Sequence, residues 1–215
     1  MKSIVFGAQT KYGFFSGLHG DETGVIESVY KALEKYKDQL GSYIYIPECS
    51  PTAVSLKTRL NGEGIDLNRA FSQHPTSDEA QSIIETVKPY IFELCVDFHE
   101  DVEHPGVYLY DYENIEGSPK LAEFRRRVAL ICPLHNGVDD EFEELLGGTS
   151  IEGYHASSLP IHEVTGDVIY EGFMDQWLMH EGHTKRWMTL EVPSNLTPEQ
   201  KNEIVDIFFR TLILG

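Results

Sequence analysis

Short apolar runs that read as strands alternate along this chain with longer stretches whose apolar residues recur at helical spacing. That alternation limits the fold more than any other feature of the sequence. Ser3-Ile4-Val5-Phe6 and Tyr43-Ile44-Tyr45-Ile46 are β-branched and aromatic runs closed by Gly7 and Pro47. Between them, Val25, Ile26, Val29, Tyr30, Leu33 and Tyr36 share one face of a helix predicted over 22–40, with Gly41 as its stop. A second helix is predicted over 77–93, with Asp78 and Glu79 near its positive end, and it leads into a strand over 94–98. Strands at 107–112 and 187–192 and helices at 118–131, 168–180 and 197–214 complete the pattern. The expected fold class is α/β: a three-layer α/β/α sandwich around a mixed, mostly parallel sheet, with residues 1–215 as a single domain. In such sheets a binding site lies beyond the carboxyl ends of the strands.

Four polar clusters fall at or just after those strand ends. Gly17-Leu18-His19-Gly20-Asp21-Glu22-Thr23-Gly24 sets His19 and Glu22 three apart where a loop becomes a helix, so their side chains can converge. A neutral imidazole and a carboxylate suit zinc, although Glu22 could equally stabilise the first helical turn beside an ordinary loop histidine. Asp97-Phe98-His99-Glu100 ends an apolar strand with ionisable groups, and His99 is the natural third ligand, the alternative being a histidine simply hydrogen-bonded at a strand end. Two histidines and one glutamate leave a coordination position open, as catalytic rather than structural zinc requires. Asn61 to Phe71 is a Gly-containing loop that delivers Asp66, Asn68 and Arg69 together, and an arginine fork beside an amide suits a carboxylate. The alternative is a surface turn whose arginine pairs with one of many acids. Glu191 lies inside the apolar run Thr189-Leu190-Glu191-Val192, where a carboxylate must be paired, functional or turned to water at a sheet edge.

Charge excludes whole classes of function. With 17 Lys and Arg against 35 Asp and Glu, the formal charge is −18, which leaves no cationic patch to displace phosphate counterions or dock on anionic lipid. No apolar run approaches the roughly 20 residues of a bilayer span, and the first residues lack a signal-peptide core, so the expected location is cytoplasmic. Cys49, Cys95 and Cys132 are odd in number and widely spaced, which favours reduced thiols over a disulfide framework or a cysteine zinc site. His180-Glu181-Gly182-His183 could hold a second metal, but Gly182 reads better as a helix stop. His104, His135, His155 and His162 have no readable spacing, and the acidic run from Asp139 to Glu144 reads as a solvated face or loop.

Taken in order, His19-x-x-Glu22, then Gly64-Ile65-Asp66-Leu67-Asn68-Arg69-Ala70-Phe71, then Asp97-Phe98-His99, then Thr189-Leu190-Glu191 resembles the signature of the zinc carboxypeptidases, shared with the succinylglutamate desuccinylase and aspartoacylase group. The resemblance spans residues 19 to 191. It implies one zinc per chain held by His19, Glu22 and His99, with Glu191 as general base and Asp66 orienting the first histidine. It further implies that Asn68 and Arg69 hold the terminal carboxylate of the substrate, that Arg59 polarises the scissile carbonyl, and that Tyr170 caps the substrate. The implied activity is hydrolysis of an amide next to a free carboxylate. Removal of a C-terminal residue from a small peptide leads, with deacylation of an N-acyl amino acid as the alternative and a non-catalytic zinc-binding domain as the remaining one.

Overall fold

The computed structural model describes residues 2–135, 149–157 and 172–215. Its strands are β1 (Ile4–Phe6), β2 (Tyr12–Ser16), β3 (Tyr43–Ile46), β4 (Leu94–Asp101), β5 (Tyr108–Asp111), β6 (Thr149–Ile151), β7 (Tyr154–Ala156) and β8 (Trp187–Pro193). They form one sheet in the order β1-β3-β2-β4-β8-β5-β7-β6. The pairs β2-β3, β2-β4, β4-β8 and β5-β7 are parallel, and the other pairs are antiparallel. The described helices are α1 (Ile26–Leu40), α2 (Pro51–Leu56), α3 (Asp78–Val87), α4 (Pro119–Val128), α5 (Met174–His180) and α6 (Pro198–Phe208), with a π-helical turn at Phe209–Ile213 continuing α6.

Each face of the sheet is apolar and covered. Val29 and Leu33 of α1, Phe124 of α4 and Phe208 of α6 pack on Phe14, Val96, Phe98 and Leu190. On the opposite face, Ile83 and Val87 of α3 and Met174 and Leu178 of α5 pack on Phe15, Ile46, Cys95 and Trp187. The architecture is therefore the expected α/β/α sandwich with a mixed sheet. None of the described helices is long and apolar enough to cross a membrane.

Strand alternation sets up the site. Val96 and Phe98 of β4 face the first core, so Asp97 and His99 must face the other side. The parallel β4-β8 register pairs Asp97 with Thr189 and His99 with Glu191, and antiparallel β5 sets Tyr108 opposite Glu191. A slip of one residue in either strand would send these polar groups into the apolar core.

Several boundaries differ from expectation. The strand feeding the loop that carries His19 is β2, not β1; β1 lies antiparallel to β3 at the sheet edge. Thus β2-α1-β3 is the parallel strand-helix-strand unit, a role sequence reading gave to residues 3–6. The first helix starts at Ile26, leaving Glu22 and Thr23 outside regular structure, and Tyr30 is 44% exposed rather than on the buried face. The α3 helix stops at Val87, with Lys88 still helical in geometry, because Pro89 has no N–H to continue the ladder. β4 continues three residues past Phe98, so His99 sits within the strand. Of the helix over 168–180, residues from Met174 onward are helical, and 168–171 lie outside the described residues.

Candidate active site

The buried centre of the site is a single carboxylate between two imidazoles. Glu22 Oε1 lies 2.8 Å from His19 Nδ1, and Glu22 Oε2 lies 2.6 Å from His99 Nδ1. The loop after β2 brings His19 and Glu22 to this point. Gly20 is required there, since a Cβ on it would lie 1.9 Å from the Ala53 carbonyl oxygen. Each histidine is fixed by a second carboxylate on its far nitrogen: His19 Nε2 is 3.1 Å from Asp66 Oδ1, and His99 Nε2 is 2.7 Å from Asp97 Oδ2. Both rings are thus oriented to present Nδ1 inward. His19, Glu22 and His99 are 2%, 8% and 5% exposed, so water does little to moderate their charges.

The electrostatics follow from that crowding. Burial opposes protonation of both histidines, yet Asp97 and Glu22 outweigh it at His99, and Asp66 and Glu22 outweigh it at His19, so both pKa values rise. Burial likewise pushes the Glu22 carboxyl up, but the two imidazoles hold it well below the usual carboxylate range. The crowding of carboxylates that favours protons on the histidines would equally favour a cation in contact with the same three groups. Three ligand atoms from His19, Glu22 and His99 lie within 4.8 Å of one another, which fits a small divalent cation by both geometry and donor chemistry. Two imidazoles and a carboxylate also leave room for a fourth, exchangeable position.

Glu191 faces this centre from β8 beside His99. Burial, reinforced by the Glu22, Asp101 and Asp97 charges and opposed by His99, pushes its carboxyl up to about 8. A carboxyl poised near neutrality can both accept and return a proton.

A cleft of about 290 Å³ opens in front of these groups, and Arg59, Asn68 and Arg69 line it. Arg59 donates from Nε to Asp66 Oδ2 at 3.0 Å, and its Nη1 lies 3.6 Å from Glu22 Oε1. Its side chain is half exposed, so it can reach a ligand in the cleft. Asp66 also accepts the Asn68 backbone N–H at 3.0 Å, which starts a 3-10 turn at Leu67–Arg69 and turns both residues toward the cleft. The Asn68 side-chain oxygen accepts the Met174 N–H at the start of α5, leaving the amide nitrogen as the donor it can present. The Arg69 guanidinium stacks 3.8 Å from the centre of the Phe173 ring.

The structure therefore brings His19, Glu22, Arg59, Asn68, Arg69, His99 and Glu191 into one cleft, with Asp66 behind it. Tyr170 lies outside the described residues, as do His162 and the acidic run over 139–144. His104 pairs with Asp101 at 2.7 Å and its ring lies 4.1 Å from that of His135, while His155 bonds Ser150; none of the three lines the cleft. Gly182 adopts φ +73° after α5, in keeping with a helix stop. Sequence reading missed three contributors. Asp97 was part of a motif but carried no role, although its position two residues before His99 puts both on one strand face. Asp175 and Tyr112, joined at 2.6 Å, line the far side of the cleft, and burial raises the Asp175 carboxyl above its ordinary value. Their partnership spans 63 positions and has no local signature.

The α/β/α sandwich with this mixed sheet is a carboxypeptidase-like fold, which this chain shares with solved structures. No protein-family model and no curated protein matches its sequence. Among solved structures, a protein of Shewanella denitrificans with a provisional assignment as a metallopeptidase superposes with a TM-score of 0.70 at 18% identity, over 97% of this chain and 75% of its own. A metallo-carboxypeptidase from Burkholderia cenocepacia gives 0.66 at 13% identity, covering 99% and 60%. The murein-tripeptide amidase MpaA from Escherichia coli gives 0.57 at 16%, covering 97% and 83%. At these identities the likeness defines the fold.

Proposed function

We propose that this chain is a zinc-dependent hydrolase of amide bonds next to a free carboxylate, acting as a metallocarboxypeptidase that removes the C-terminal residue of a peptide, with residues 1–215 forming one catalytic domain. The observation that carries the reading is the Glu22 carboxylate bridging the two Nδ1 atoms with Glu191 beside them. An interaction domain has no need of that base.

His19, Glu22 and His99 would hold the metal, which when bound lowers the pKa of a water to about 7 and polarises a carbonyl. The rest of the chemistry belongs to the chain. Glu191 takes the proton from the attacking water and returns it to the leaving nitrogen. The Arg59 guanidinium donates to the carbonyl oxygen as charge develops there. Arg69, held flat by Phe173, and the Asn68 amide bind the terminal carboxylate and thereby align the scissile bond. Asp66 and Asp97 keep the two imidazoles in place throughout. The same groups could serve an acylated amino acid, whose carboxylate also neighbours the amide.

The test is a paired substrate screen on metal-replete protein: release of C-terminal residues from a peptide panel against release of acetate or succinate from acylated amino acids, each repeated with a chelator. Chelator-sensitive release from the peptides is expected. Release from the acylated amino acids alone would reassign the substrate, and no release from either by zinc-loaded protein would leave a binding domain.

A further inference from the structure

A second charged cluster lies directly behind the ligand triad, and the proposed chemistry does not use it. Glu100 follows His99 in β4, and its side chain is directed away from the cleft, toward α6. There Lys201 Nζ donates to Glu100 Oε1 and, at 2.8 Å, to the Ser194 carbonyl. Glu100 and Lys201 are only 4% and 6% exposed. A buried ion pair is a poor route to stability, because apolar residues of similar volume commonly do as well.

What this pair does touch is the turn that carries Glu22. Glu100 Oε2 accepts the backbone N–H of Gly24, and the Glu100 backbone N–H lies 3.4 Å from Glu22 Oε2. Glu100 thus meets the turn at the ligand carboxylate and again two residues later. The approach is so close that a Cβ on Gly24 would lie 2.7 Å from both Glu100 Oε1 and Lys201 Nζ. Glu22 and Thr23 belong to no helix or strand, so no regular backbone ladder fixes the turn at that point.

We propose that Glu100, held and neutralised by Lys201, is a positioning residue for Glu22, and that the Glu100–Gly24 hydrogen bond sets the metal affinity of the site. The inference rests on the reading of His19, Glu22 and His99 as metal ligands. Lys201 pairs with the Glu100 carboxylate and is itself fixed by the Ser194 carbonyl, so the pair is held in place beside Glu22. The carboxylate then anchors the Gly24 amide, and the Glu22 side chain is held where both imidazoles meet it.

Two double variants separate positioning from charge, because each replaces the neutral pair by two neutral residues. Glu100→Gln/Lys201→Met keeps an oxygen that can accept from Gly24, and Glu100→Ala/Lys201→Met does not. Zinc affinity is read by competition with a chromophoric chelator, alongside thermal unfolding of the metal-free proteins. The Gln/Met variant is expected to bind zinc within about threefold of wild type and the Ala/Met variant at least about 10-fold more weakly, as for loss of a group that orients a ligand. Glu100→Asp with Lys201 intact keeps the charges but shortens the reach to Gly24, and it too is expected to lose about 10-fold; it serves if the Ala/Met variant does not fold. Equal zinc affinity in the two double variants, or undiminished affinity in Glu100→Asp, overturns the proposal while leaving the metal site standing. Failure of wild type to bind zinc overturns both.

Discussion

Glu22 accepts from two imidazoles at once, and each imidazole is backed by its own aspartate, so the centre of the cleft is a run of five alternating acids and bases: Asp66, His19, Glu22, His99 and Asp97. Such a run is sensitive to protons. Both histidine pKa values are raised, so their contribution to the stability of the metal-free fold is complete below the unfolded value of about 6.5 and is lost as pH rises through the folded values. A metal needs both imidazoles neutral. Zinc dissociation constants measured at about pH 6 and about pH 8 should therefore fall with rising pH, with proton release on binding; a flat profile would count against the His19-Glu22-His99 assignment. Glu191 should behave differently, since it stands beside the triad rather than within it. Glu191→Gln is expected to keep wild-type zinc content while losing at least about 100-fold in turnover, and an undiminished rate would remove it as the base. At this scale the sequence exposed each group with a local spacing, such as His19 and Glu22 three apart. It concealed the Tyr112–Asp175 pair, whose partners meet only through the fold.

At the level of elements, legibility followed burial pattern. β8, β5 and the core of β4 were readable because their apolar runs end in clear polar or proline stops. β2 was not. Tyr12-Gly13-Phe14-Phe15-Ser16 is buried throughout, so it shows no alternation, and a glycine interrupts its apolar run. In the sheet that glycine is a packing requirement, since a Cβ there would lie 2.8 Å from Cys95 Sγ. The start of α1 was misplaced because Glu22, which suits a first helical turn, is instead drawn out of the helix toward His99. The join between the Asn68-Arg69 turn and α5 is equally specific: Gly172 has φ +84°, its carbonyl accepts the Phe71 N–H at 3.0 Å, and a Cβ would lie 2.3 Å from the Arg69 carbonyl oxygen. Gly172→Ala is expected to lower stability by more than about 1 kcal/mol and to raise KM for carboxylate-bearing substrates by displacing Arg69. Thermal unfolding and steady-state kinetics check both parts, and a wild-type KM would show that this join does not position Arg69.

Across the whole molecule, the net charge of −18 and the cleft stand in tension. Glu22, Asp97, Asp175 and Glu191 line a cleft whose cationic side chains are Arg59 and Arg69 among the described residues. Such a field would repel the proposed carboxylate-bearing substrate at a distance, so under that proposal attraction is local, through the two arginines and the cation. The sandwich makes this workable by burying the acids at strand ends against one another and against histidines, with the apolar cores on both faces holding the register. Every element of the account thus depends on a cation sitting among His19, Glu22 and His99. Its most direct test is the zinc content of purified wild-type protein and of His99→Ala after equilibration with limiting zinc. The expected result is about one zinc per wild-type chain and almost none in the variant; equal zinc in both, with the fold intact, would contradict the account at its centre.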